Sequence, residues 1–212
     1  GICPDGIKKL NEAGVALHGL TTWWDIIECA EEEKILDAAT VKKVALELGG
    51  KNPNVVFADA DLEATAAALV EFGTFNAGQD CTAVTRVLVH ESVHDRLVEL
   101  LAAAAEELVT GDADEAKNSY GPLNNARPLA SVTEKIDALP PHARVVTGGK
   151  RVGDEGFFFA PTVVTGVRQD DRVVQEEVFG PVLTVQPFTA EAEAVELAND
   201  VDYALAASVW TA

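Results

Sequence analysis

The sequence predicts an α/β fold, with short apolar runs of strand length alternating with stretches of helical periodicity. Residues that start or stop helices mark the junctions, among them Asp61, Ser92, Gly111 and Pro140-Pro141. The chain has 212 residues, 48% apolar and 24% charged, enough for a sizeable buried core in a globular protein.

Taken in order, Val44 to Leu48 is a short apolar strand ended by Gly49-Gly50, and Asn54 to Phe57 is a second strand. Asp61 is placed to cap an alanine-rich helix running to about Phe75. Arg86 to His90 alternates like a strand, and Ser92 is expected to cap a long amphipathic helix to about Val109, which Gly111 stops. A further helix spans about Asn124 to Leu139, halted by the proline pair. Val145-Val146 before Gly148-Gly149 reads as strand and turn. Val182 to Val185 is a strand, Glu191 to Asn199 a helix, and Ala207 to Trp210 a last strand. Residues 1–41 read as helix, strand, helix and form a separate segment, leaving 42–212 as the main domain.

The charge balance excludes some functions. With 35 acidic against 16 basic residues, a net charge of −19 repels nucleic acid and anionic membrane surfaces. A small molecule is therefore the expected partner. Three scattered cysteines make neither a disulfide framework nor a zinc site, so no metal is expected. No secretory signal and no apolar run of membrane-span length is visible, so the expected compartment is the cytoplasm.

Three segments carry chemistry. In Phe75-Asn76-Ala77-Gly78-Gln79-Asp80-Cys81-Thr82 a cysteine sits in a polar turn between helix and strand, where a thiol can be partly exposed and reactive as thiolate. A lone cysteine is more often an inert small hydrophobe. In Leu46-Glu47-Leu48-Gly49-Gly50-Lys51 a glutamate lies among apolar residues, where desolvation would raise its pKa and make it a base. Read by itself, a glutamate facing solvent from an edge strand is the simpler account. In Gln175-Glu176-Glu177-Val178-Phe179-Gly180-Pro181-Val182 a carboxylate could accept from ribose hydroxyls and Phe179 could lie against a planar ring. A charged turn leading into a strand fits that segment equally.

Together and in this order, these segments resemble the aldehyde dehydrogenase family, a resemblance covering residues 42–212. Asn52-Pro53, Tyr120-Gly121-Pro122-Leu123 and Phe159-Ala160-Pro161-Thr162 fit the same pattern, and Gly78 to Thr82 with Leu123-Asn124-Asn125 looks most like the aminobutyraldehyde branch. The resemblance implies that Cys81 is the nucleophile and Glu47 the general base in oxidation of an aldehyde to its acid through a thiohemiacetal and a thioester. It implies NAD or NADP as cofactor, with Glu177 on the nicotinamide ribose, Phe179 packed nearby and the Leu48–Gly49 backbone approaching the nicotinamide. The Cys81 N–H would help hold the oxyanion. The family is homo-oligomeric.

The chain departs from the family pattern in lacking most of the dinucleotide-binding domain and the closing C-terminal segment. It is accordingly expected to bind NAD weakly or not at all. Leu17-His18-Gly19-Leu20-Thr21-Thr22-Trp23-Trp24-Asp25 resembles the C-terminal end of a bacterial orotate phosphoribosyltransferase, without that family's phosphoribosyl-pyrophosphate loop. A hybrid chain joined near Ala39 to Lys43 is the simplest expectation. Two other readings compete: a catalytically incomplete fragment with at most cofactor-independent esterase activity, and a cysteine hydrolase pairing Cys81 with His90 or His94.

Overall fold

The computed structural model describes residues 48–212, apart from Ala113 and Ala116. Glu47, most of the strand expected at Val44 to Leu48, and the whole segment 1–41 lie outside the described residues.

The described chain forms a six-stranded sheet in the order β3-β4-β5-β2-β1-β6. The strands are β1 (Pro53–Val56), β2 (Arg86–His90), β3 (Arg144–Thr147), β4 (Thr162–Thr165), β5 (Val182–Phe188) and β6 (Ser208–Trp210). Neighbours are parallel except for the edge pair β3–β4, which is antiparallel. The helices are α1 (Leu62–Thr74), α2 (His94–Glu107), α3 (Ala126–Asp137), the single turn α4 (Arg172–Gln175) and α5 (Glu191–Asn199).

Alternation along the strands divides the core between two faces. Val56, Val87, Val89 and Val185 pack with Leu69 of α1 and Leu97 and Leu101 of α2 on one face. Val55, Leu88 and Phe188 pack with Ala194 of α5 on the other. The same second face, towards β4, carries Val164 and Val182 against Val132 and Ile136 of α3 and Val173 and Val174 of α4. Helices on both faces explain why the inner strands read as near-continuous Val/Leu runs.

Most expected elements are present, and the exceptions have physical causes. Asp61 caps α1 as expected, accepting from Ala64 N at 3.1 Å. Ser92 does not cap α2. A 3-10 turn over Glu91–Val93 intervenes, so Val93 holds the N-cap position, and the Ser92 N–H donates to His90 Nδ1 at 3.3 Å. The helix ends at Glu107, where Leu108 turns extended, so Gly111 does not stop it. Two elements, β4 and α4, carry no legible pattern in the sequence. Thr162-Val163-Val164-Thr165 is buried at every position, so it shows no alternation, and α4 is too short for a helical period.

For the site, the direction of the strands matters most. Because β1, β2 and β5 run parallel as neighbours, their amino ends share one edge of the sheet. The segments leading into them are residues 49–52, 79–85 and 176–181, the same three singled out in the sequence.

Candidate active site

The turn that bears Cys81 is built by backbone conformations that its sequence does not advertise. After α1 ends at Thr74, a 3-10 turn over Phe75–Gly78 places Asn76 (φ 51), Ala77 (φ 57) and Gly78 (φ 68) in the left-handed region. For alanine that region is costly. Side chains hold the turn there: Asn76 Nδ2 donates to Gln79 O at 3.0 Å, and Gln79 Oε1 accepts from Asn124 N at 2.8 Å. Downstream, Asp80 Oδ1 accepts from both the N–H and the hydroxyl of Thr82, each at 2.7 Å. Cys81 sits in this turn as a free, partly exposed thiol, as expected.

Three contacts bring the segments together. Gly50 N donates to Glu177 Oε1 at 2.8 Å. A Cβ on Gly50 would lie 2.2 Å from Cys81 O, so this close approach of two backbones admits only glycine. A Cβ on Gly78 would meet Gly180 O at 2.2 Å, which joins the cysteine turn to the segment before β5. Cys81, the Gly49–Gly50 turn and Glu177 therefore share one site. Glu177 is half-buried, and Phe179, at φ 54, is 40% exposed two residues on. Leu48 exposes its side chain.

Two buried cations lie behind this surface. Arg86 is fully buried, yet its guanidinium is well used: Nε donates to Lys51 O at 2.9 Å, and its terminal nitrogens donate to Leu197 O and Ala198 O at 2.8 and 2.7 Å. Burial lowers its pKa to about 10, so it stays charged at neutrality and ties the end of α5 to the chain entering β1. Lys51 is also buried, and its Nζ has no hydrogen-bond partner among the described residues. Burial first, then the positive charge of Arg86, bring its pKa down to about 7, against a smaller opposing pull from Glu177.

Sequence pattern alone assigns no role to Asn52, Lys51 or Arg86. Asn52 is buried, and its side chain donates to Cys81 O at 2.9 Å and to Ala83 O at 2.8 Å. A polar residue flanked by a strand-forming run was the available signal.

The two histidines weighed as partners for a cysteine hydrolase, His90 and His94, are not at this site. His90 closes β2 at its carboxyl end, bonded to Ser92 Oγ at 2.8 Å, whereas Cys81 precedes the amino end. At about 3.3 Å per residue the five-residue strand alone separates the two ends by roughly 13 Å. His94 lies beyond His90 and is engaged by Asp95 at 2.8 Å and Thr165 at 3.2 Å. Among the described residues no group of three or more His, Cys, Asp or Glu side chains is arranged to hold a metal ion. No helix among them is long and apolar enough to cross a membrane.

Residues 30–212 match the aldehyde dehydrogenase family. The chain is 45% identical over 186 residues to betaine aldehyde dehydrogenase of Bacillus subtilis (strain 168), covering 84% of this chain and 38% of that protein. Betaine aldehyde dehydrogenase from Staphylococcus aureus, solved in complex with NAD+, is 39% identical with a TM-score of 0.78, covering 87% of this chain and 38% of that one. γ-Glutamyl-γ-aminobutyraldehyde dehydrogenase from Burkholderia cenocepacia J2315 is 43% identical with a TM-score of 0.76, covering 79% and 34%. The chain thus spans under two fifths of the length of the relatives it matches.

Proposed function

The chain belongs to the aldehyde dehydrogenase family, and from that premise we propose that it carries the thiol half of a site oxidising an aldehyde to its acid with NAD or NADP. The observation that supports this reading is the meeting of Cys81, the Gly49–Gly50 turn and Glu177 at the amino ends of β1, β2 and β5.

Cys81 as thiolate adds to the aldehyde carbon, and the carbonyl electron pair moves onto oxygen to give a thiohemiacetal anion. Among the described residues nothing accepts from the Cys81 N–H, which leaves that donor available to the oxyanion. When bound, the nicotinamide supplies the hydride acceptor that turns the thiohemiacetal into a thioester. Glu47 then takes a proton from the water that attacks the acyl carbon, and sulfur departs with the acid released.

Glu177 and Phe179 fit such a cofactor. A carboxylate with one oxygen tied to Gly50 N keeps the other for a ribose hydroxyl, and the exposed ring two residues on offers a flat apolar wall. An amino-aldehyde is the substrate class favoured here, on the likeness to the γ-glutamyl-γ-aminobutyraldehyde enzyme.

The thiol chemistry is tested without cofactor by hydrolysis of p-nitrophenyl acetate, which bypasses hydride transfer. Cys81→Ala should abolish turnover. Glu47→Gln should keep the acylation burst and slow the steady state, because it removes only the base for deacylation. Turnover persisting in Cys81→Ala would remove the nucleophile assignment.

A further inference from the structure

The carboxamide of Asn52 is fully used and is aimed at the cysteine turn. Both of its N–H bonds are spent on carbonyls of the cysteine turn, that of Cys81 itself at 2.9 Å and that of Ala83 at 2.8 Å. Its Oδ1 accepts from Ala206 N at 3.0 Å. Two donors face two acceptors and one acceptor faces a donor, so only this orientation of the amide satisfies every partner. The backbone of the same residue is equally fixed: Asn52 O accepts from Arg86 N at 3.2 Å and from Asn54 Nδ2 at 3.0 Å. The residue is 2% exposed, so water does not compete for these bonds. It stands two positions after Gly50, whose backbone packs against the same Cys81 carbonyl.

Resting on the reading of Cys81 as nucleophile, we propose that Asn52 is its positioning residue. The amide anchors the thiol-bearing turn from beneath, at the carbonyl of the nucleophile and at the carbonyl two residues on. It thereby sets where the Cys81 side chain and N–H stand relative to a bound carbonyl group. Asn52 makes no contact with the reacting atoms itself. It acts through the backbone, and displacement of about 1 Å in an aligned reaction can cost a hundredfold in rate.

The test separates placement of the thiol from its mere exposure, using the 212-residue chain. Burst acylation by p-nitrophenyl acetate needs the thiol and an oxyanion donor aligned, whereas labelling by iodoacetamide needs only an accessible thiolate. Asn52→Ala should lower the burst rate constant about tenfold to a hundredfold and leave the iodoacetamide rate at Cys81 within about twofold of wild type. Asn118→Ala is the control. That amide donates to Asp112 O at 2.7 Å and to neither Asn52 nor the cysteine turn, so both rates should hold. If Asn52→Ala does not fold, Asn52→Ser, which keeps one donor, should give an intermediate burst rate. A wild-type burst in the Asn52 variant, or both rates falling together, would overturn the assignment. A wild-type protein with no burst at all would instead sink the nucleophile reading, and this inference with it.

Discussion

At the carboxyl ends of β1, β2 and β5 the turns into helices are capped by bonds between near neighbours, whereas at their amino ends the segments leading into the strands are joined to one another by bonds between distant positions. Asp61 takes Ala64 N three residues on, His90 takes Ser92 N two residues on, and Glu193 takes Thr189 N and its hydroxyl four residues back. At the other edge Gly50 reaches Glu177 over 127 positions, Asn52 reaches Cys81 over 29 and Ala206 over 154, and Arg86 reaches Leu197 over 111. The local caps form as soon as a helix does. The long-range set exists only once the sheet has been assembled, and it is where the strained backbone and the two buried cations lie. Such concentration of cost is what a site for chemistry shows.

The strongest way to break the contrast is at its tightest backbone contact. Gly50→Ala puts a Cβ 2.2 Å from Cys81 O, a carbonyl that cannot rotate away. The turn must shift, and we expect a burst rate at least about a hundredfold down and a stability loss of about 2 kcal/mol or more. Burst kinetics and urea unfolding measure the two. A near-wild-type burst would mean that the amino-end contacts do not control the thiol.

A second test uses the buried Lys51. Its amine has a pKa of about 7 in the fold against an ordinary value of 10.5, chiefly through burial. Below pH 7 the folded and unfolded chains both hold the proton, and the fold bears the full cost of a buried charge. Between these two values the unfolded chain binds a proton that the folded chain has released, so this group's contribution to stability rises with pH. The slope is about 1.4 kcal/mol per pH unit at most. Lys51→Met removes it and should be the more stable protein at pH 7, with the difference narrowing towards pH 9. Urea unfolding at pH 7, 8 and 9 reads this directly. Parallel stability profiles for the two proteins would show that the amine is not neutralised.

The same contrast explains what the sequence disclosed. Strand β2 and helix α5 were legible to the residue, because apolar alternation and short-range caps are written locally. Asp61 was legible for the same reason. Ser92 misleads because a 3-10 turn intervenes before the helix, with the Ser92 N–H and hydroxyl both engaged by the His90 ring. At the amino edge, Cys81, Gly49 and Glu177 were reached only through their ordered motifs. Periodicity gives no hint that Gly50 packs on the cysteine turn. The left-handed Ala77 and Phe179 could not be foreseen either, since neither residue type favours that region. Asn52 looked like one more residue near a strand, because its role depends on two partners 29 and 31 positions away.

The smallest effect should come from the carboxyl edge, and its value lies in what stays unchanged. Asp61→Ala removes the side-chain acceptor of Ala64 N and should cost about 1 kcal/mol, the usual worth of an N-cap. Asp61→Asn should cost little, since asparagine caps as well. Helix α1 has 13 residues, so at 1.5 Å per residue the cap stands about 20 Å from the turn that leads to Cys81. The far end of the helix is secured independently, by Leu69 and Val70 in the core and by the Thr74 hydroxyl donating to Val70 O at 2.8 Å. Fraying of the first turn therefore has no rigid route to the thiol. The burst rate of Asp61→Ala should match wild type within about twofold, while its urea midpoint falls. Should the burst fall tenfold, the two edges would be coupled through α1, and the division between locally capped and globally assembled ends would have to be abandoned.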